Sequence, residues 1–154
     1  MVTYPTRDTS LLDPELKRLC EAFLSECKLA GLDIRVTQTH RSAEYQNSLF
    51  AQGRTQAQLD AKGIRAKARP DLPQVTKATA GNSPHEWTKN GQPWARAFDI
   101  VVINPDGKAN WDAATKPWKT AGAIGVKLGL DWGGAWTGFQ DPPHFQLPNW
   151  RTRP

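Results

Sequence analysis

The apolar run ARAFDIVVI, residues 95–103, carries a carboxylate in its middle. Asp99 stands between Phe98 and Ile100 in a pattern that reads as a strand, where an unpaired carboxylate costs several kcal/mol unless a cation or dense hydrogen bonding compensates. The fold must therefore bring a positive partner to the centre of its most apolar strand, and a divalent metal is one such partner. Ile100 to Ile103 is also the longest unbroken aliphatic stretch, far short of the ~20 apolar residues that a membrane-spanning helix needs.

The remaining segments alternate between helical and extended patterns. Asp13 and Pro14 form a helix start, and Leu16, Leu19, Cys20, Phe23, Leu24 and Cys27 recur at helical spacing up to Gly31. Leu32, Ile34 and Val36 then alternate with polar residues as in a half-buried strand that delivers Thr39, His40 and Arg41 to its end. Ser42 caps a second expected helix, AEYQNSLFAQ, and Arg54 to Pro73 reads as a basic loop with room for a short helix. An extended segment is expected from Val75 through Ser83, a helix over Pro117 to Leu128 closed by Gly129, and a short strand at HFQL. Helices and strands interleave without regular βαβ units, which predicts an α+β fold: a small antiparallel sheet with flanking helices.

The 154 residues fit a single domain, 1–154, able to bury roughly 70% of the surface its unfolded chain exposes. No cationic start, apolar stretch and cleavage site mark a secretory signal, so a cytosolic protein is expected. The formal charge of +5, concentrated in Lys62 to Arg69 and the RTRP tail, favours a polyanion such as nucleic acid or an anionic bacterial envelope. Cys20 and Cys27, seven apart in the first helix and thus ~10 Å apart, are expected as buried free thiols.

Two of the three histidines flank the Asp99 strand in sequence: His85 in SPHEW and His144 in DPPHF. Two His and one carboxylate, with no thiolate, form the ligand set of a catalytic zinc that keeps a position for water. Asp141 precedes His144 by three residues with two prolines between, a spacing that excludes a helix and fixes the carboxylate relative to the imidazole. HEWTK is not a metalloprotease HExxH, because Lys89 stands where the second His is needed, and Glu86 is thereby rejected as a general base.

Across positions 36 to 147 the chain resembles the zinc peptidases that include phage L-alanyl-D-glutamate endopeptidases, D-alanyl-D-alanine carboxypeptidases and vancomycin-resistance dipeptidases. VTQTHRSAEYQ is similar to that family's strand and R-S-x-x-x-Q, VTKATAGNSPH to the approach to S-x-H, ARAFDI to G-x-A-x-D, and WGGAWTGFQDPPHF to the closing W-G-G-x-W and D-x-x-H. The resemblance implies a hedgehog/DD-peptidase-like domain with one zinc held by His85, Asp99 and His144. It also implies Asp141 as catalytic base, Arg41 supporting the charge that forms on the substrate carbonyl, and Gln46 and Ser83 lining the cleft. Trp132 and Trp136 are left out of the site in favour of packing roles, as is His40.

The implied substrate is the peptidoglycan stem, with cleavage between L-alanine and D-glutamate by an endolysin-like monomer. Such an enzyme would wait in the host cytoplasm until release, would reach the anionic envelope through its own charge, and carries no separate wall-binding domain. A D-Ala-D-Ala carboxypeptidase is the alternative within the family, and a non-catalytic zinc-containing envelope-binding module the alternative outside it. No aromatic and basic recognition motif supports nucleic-acid binding. One departure stands out: His85 and Asp99 are fourteen apart where the family pattern has seven, which assigns Thr88 to Trp94 to an insertion with Asn90 and Gly91 at a hairpin tip.

Overall fold

A computed structural model describes residues 6–154. Helix α1 (Pro14–Leu29) starts at an Asp13 cap whose carboxylate accepts from the Glu15 amide, with Pro14 in the first turn. Strand β1 (Asp33–Gln38) follows, then α2 (Ala43–Phe50), capped by Ser42, and α3 (Gln56–Ala61), opened by a Thr55 and Gln58 capping box. Strands β2 (Thr88–Lys89) and β3 (Gln92–Pro93) form the hairpin expected in the insertion. Asn90 and Gly91 sit at its tip with φ of 53° and 75°, the left-handed values that a tight two-residue turn requires. Strand β4 (Ala97–Ile103), β5 (Ala109–Asn110), α4 (Lys116–Lys127), β6 (Asp131–Trp132) and β7 (His144–Gln146) complete the order.

The main sheet has five antiparallel strands in the order β1-β4-β7-β6, with β5 also on β4. Central β4 is buried along nearly its whole length, and the period of two divides its side chains between two environments. Phe98, Ile100 and Val102 join Phe145 and Leu147 against Leu16, Cys20, Phe23 and Cys27 of α1 and Trp118 and Ala121 of α4. Phe98 and Phe145, direct partners across β4 and β7, stack at 5.6 Å. Each such ring contributes about 1.5–3 kcal/mol through burial. Asp99 and His144, the next residues along, project from the opposite face of the sheet.

A β-bulge shapes the β1 edge of that face. Val36 pairs with Ile100, but Gln38 rather than Thr37 pairs with Asp99. The extra residue reverses the alternation and places Gln38 beside the carboxylate.

One expected element differs, and another takes the form for which the sequence left room. The segment from Val75 through Ser83 is irregular rather than extended, because side chains satisfy its main chain: the Ala78 carbonyl accepts from Gln46 Nε2, the Ala80 amide donates to Asn47 Oδ1, and the Gly81 amide donates to the Glu86 carboxylate. The basic stretch after Arg54 contains α3, whose Leu59 packs with Phe50, Ala51 and Ile64 in a second small core. Cys20 and Cys27 are buried free thiols, and burial pushes each up to about 12. Among the described residues no helix is long and apolar enough to cross a membrane.

Candidate metal and active site

Asp99 and His144 meet because they are directly opposed in the β4/β7 ladder, the position at which cross-strand side chains come closest. His85 arrives from a separate element, a 3-10 turn over Pro84–Glu86 capped by Ser83 and clamped by Glu86, whose carboxylate accepts from the Ser83 and Gly81 amides. Glu86 therefore serves the turn. The hairpin β2/β3 lies between His85 and Asp99 in sequence, and the Trp94 amide donates to the Trp87 carbonyl at its base, so the insertion leaves the two ligand-bearing segments together.

The inward atoms form a nearly equilateral triangle. His85 Nε2 is 3.2 Å from Asp99 Oδ1 and 3.3 Å from His144 Nδ1, and His144 Nδ1 is 3.2 Å from Asp99 Oδ1. Such edges describe one face of a tetrahedron whose centre lies about 2.0 Å from each vertex, the bond length of zinc to imidazole nitrogen. The outward nitrogens are committed as well: His85 Nδ1 is 2.7 Å from the Thr39 carbonyl, and His144 Nε2 is 2.7 Å from Gln146 Oε1. Both partners are acceptors, so each outward nitrogen is placed to carry a proton, and a ring protonated there alone turns a lone pair inward. Two lone pairs and a carboxylate converging in a buried pocket call for a cation. Among the described residues, His85, Asp99 and His144 form the group able to hold a metal ion, and all three are buried.

Electrostatics agree. Burial pushes His85 down to about 4, with Arg41 adding to the effect, so it is neutral near pH 7. Burial alone would raise Asp99, but the facing His85, His144 and Arg41 hold it well below the usual carboxylate range. Burial likewise disfavours the cationic form of His144, yet its contacts with Asp99 and Asp141 raise it, and a bound metal would displace that proton.

Arg41 sits at the end of β1 and spreads its guanidinium over three acceptors: Gln38 Oε1 at 2.6 Å, Gln46 Oε1 at 3.0 Å and Asp99 Oδ2 at 2.9 Å. It thus holds the second oxygen of Asp99 and leaves Oδ1 to the triangle. Gln46 does not line the cleft as expected; it is fully buried behind Arg41, with its amide nitrogen on the Ala78 carbonyl. Ser83 does line the cleft, while its hydroxyl also accepts from the His85 amide.

Asp141 lies across the cleft from the triangle. Its main chain is fixed on both sides: the amide donates to the Gly133 carbonyl, and its own carbonyl accepts from the His144 amide. Trp132 Nε1 donates to the Pro142 carbonyl at 2.7 Å and braces the same corner. Burial, with the negative charge of Asp99, pushes the Asp141 carboxyl up to about 6. Trp136, set aside as packing, stands 5.3 Å from His144 and lines the cleft. His40 lies outside the triangle, with its Nε2 buried and without a hydrogen-bond partner among the described residues.

Cavities of about 490 and 380 Å³ adjoin the site and share Arg41, Thr76, Phe139 and Asp141. The first is walled by Leu49, Val75 and Trp111; the second by Ser83, Trp136, Trp150 and Arg151.

The model of the D-alanyl-D-alanine carboxypeptidase family matches residues 76–147, a span that contains His85, Asp99, Asp141 and His144. The chain is 30% identical over 146 residues to the peptidoglycan L-alanyl-D-glutamate endopeptidase CwlK of Bacillus subtilis (strain 168), covering 90% of this chain and 75% of that protein. In fold it is similar to the L-Ala D-Glu endopeptidase ChiX of Serratia marcescens, with a TM-score of 0.58 at 18% identity over 94% of this chain and 88% of the other. It is also similar to the LD-carboxypeptidase LdcB, with a TM-score of 0.56 at 18% identity over 95% of this chain and 64% of the other. With a relative of that identity and coverage, and with the expected α+β sheet, the chain belongs to the M15 peptidase family of D-alanyl-D-alanine carboxypeptidases and related peptidoglycan peptidases.

Proposed function

We propose that the chain is a zinc-dependent peptidoglycan endopeptidase that cuts the stem peptide between L-alanine and D-glutamate. The observation that carries this reading is the buried His85, Asp99 and His144 triangle, with Asp141 lining both of the cavities that adjoin it. The activity named for CwlK favours an endopeptidase over the D-Ala-D-Ala carboxypeptidase alternative and points to the bond.

His85, Asp99 and His144 would hold the zinc, which when bound supplies Lewis-acid polarisation of the scissile carbonyl and activation of a water. Asp141 accepts the proton of the attacking water and returns it to the departing amine, a role suited to a carboxylate that lines both cavities beside the three ligands. Arg41 keeps Asp99 oriented and, as a residue lining both cavities, would stabilise the charge developing on the carbonyl oxygen. Ser83 and Trp136 bound the substrate cleft, and Gln46 supports it indirectly by fixing Arg41.

The formal charge of +5 supports attraction to an anionic envelope. The endolysin reading, a monomer held in the host cytoplasm and then released to the wall, rests on that charge and on the resemblance to phage enzymes. Mass spectrometry of digested peptidoglycan tests the bond: new N-terminal D-glutamate is expected, and release of D-alanine would refute it.

A further inference from the structure

The fold fastens its last residues with a buried cation that the proposed chemistry does not use. Arg96 is 1% exposed, stacks 4.6 Å over the Trp87 ring and pairs with Asp13 through Nε at 3.0 Å. Its other nitrogens donate to the main-chain oxygens of Trp150, Arg153 and Pro154 at 2.7, 3.2 and 2.8 Å. Trp150 is further locked edge-on against Trp87 at 5.9 Å. A guanidinium so deeply buried is retained only where its donors are satisfied, and here they are satisfied by the tail.

The tail so held forms one wall of the 380 Å³ cavity. Arg151 projects from it, lying 4.3 Å over the Trp150 ring with one N–H on Asn82 Oδ1 at 3.2 Å. Lys77, on the irregular segment before Ser83, lines the same cavity and rests 5.7 Å over the Phe139 ring. Neither cation has an ion pair among the described residues, unlike Arg41 and Arg96. The adjoining 490 Å³ cavity sets Leu49, Val75 and Trp111 beside Thr37, Gln38, Gln52 and Gln140 and, apart from the shared Arg41, holds no cation. The two cations without an ion pair are therefore confined to one of the two cavities.

We propose that Lys77 and Arg151 form a carboxylate-binding subsite that sets the direction in which the substrate lies. The inference rests on the peptidoglycan endopeptidase reading. In an L-Ala-D-Glu stem joined onward through the γ-carboxyl, the α-carboxylate of D-glutamate lies immediately beyond the scissile bond. That carboxylate would sit between the two cations, and the L-alanine side would lie toward Trp111. A C-terminal carboxylate of the stem offers the same chemistry from farther along the peptide.

The test compares kcat/KM of the zinc-loaded enzyme on three synthetic muramyl peptides: L-Ala-γ-D-Glu-L-Lys, its D-isoglutamine counterpart, and its C-terminal amide. Each is cleaved by the wild type and by Lys77→Gln, Arg151→Gln and the double variant. The expected result is that the isoglutamine substrate loses about tenfold with the wild type, the loss of one charge-assisted contact. The double variant should lose a similar factor on the free acid and almost nothing on the isoglutamine peptide. Dependence on the C-terminal amide instead would support the subsite and assign it to the terminal carboxylate. Equal losses by the variants on all three peptides would overturn it. If the wild type cleaves none of them while holding zinc, the endopeptidase reading fails and the subsite with it.

Discussion

His144 Nδ1 lies 3.2 Å from Asp99 Oδ1, and the two residues are direct cross-strand partners on β7 and β4. The contact is set by register: a one-residue slip of β7 against β4 would send His144 into the core and bring Phe145 out, parting His144 from Asp99. The ladder that builds the core thus also aligns two of the three candidate ligands, and Arg41, through Asp99 Oδ2, fixes which oxygen faces them.

Asp99→Ala should remove that alignment and leave two buried imidazoles without their carboxylate. Zinc content of the purified protein, measured by atomic emission, should fall sharply. A variant that keeps its metal would show that the ligand is misassigned.

Gln146→Leu keeps the strand and removes the acceptor on His144 Nε2. The expected loss is ~10- to 100-fold in zinc affinity, as for other groups that orient a metal-bound imidazole. Competition with a chromogenic chelator measures it, and unchanged affinity would remove Gln146 from the site.

Asp141→Asn should retain fold and zinc while turnover falls ~10² to 10⁴-fold. In metal-free protein the same change has the opposite effect on stability. The folded carboxyl, raised to about 6 from an ordinary 3.8, is an acid whose neutral form the fold prefers. Its contribution to stability is therefore lost as pH rises from about 4 to about 6, and the charged form remains unfavourable above that. Metal-free Asp141→Asn should melt higher than metal-free wild type at pH 7, by about 1 kcal/mol after allowance for partial solvation. Equal melting curves at pH 5 and pH 7 would contradict the cause assigned to the shift.

Gly133→Ala probes the corner that carries Asp141. A Cβ there would lie 2.2 Å from the Asp141 carbonyl oxygen, so the backbone must shift. The expected cost is about 1–3 kcal/mol of stability, and turnover should fall up to ~10²-fold through displaced Asp141. Thermal melts and turnover of wall preparations read the two effects separately.

Much of this was legible in the sequence where the signal was local. The Asp13 and Pro14 helix start, the alternation around β4 and the Asn90-Gly91 tip each depend on neighbouring residues, and each element forms where those residues place it. The Asp99 carboxylate in an apolar strand marked the site because burial of charge has few solutions. What escaped was set by distant pairing. The bulge at Thr37 that turns Gln38 toward Asp99 depends on the β4 register, and the irregular course of residues 75–83 depends on side chains of α2 and the Pro84–Glu86 turn. Gln46 was placed in the cleft by the family resemblance, and its burial behind Arg41 depends on packing that the motif does not carry. Trp136 was one of seven tryptophans, and only its 5.3 Å approach to His144 separates it from the packing majority.

The most direct test of the metal-dependent account is titration of metal-free protein with zinc while peptidoglycan cleavage is followed. Activity should rise in proportion to added zinc and level off at one equivalent per chain, with the break point lost in Asp99→Ala. Full activity of the metal-free protein, before any zinc is added, would contradict it.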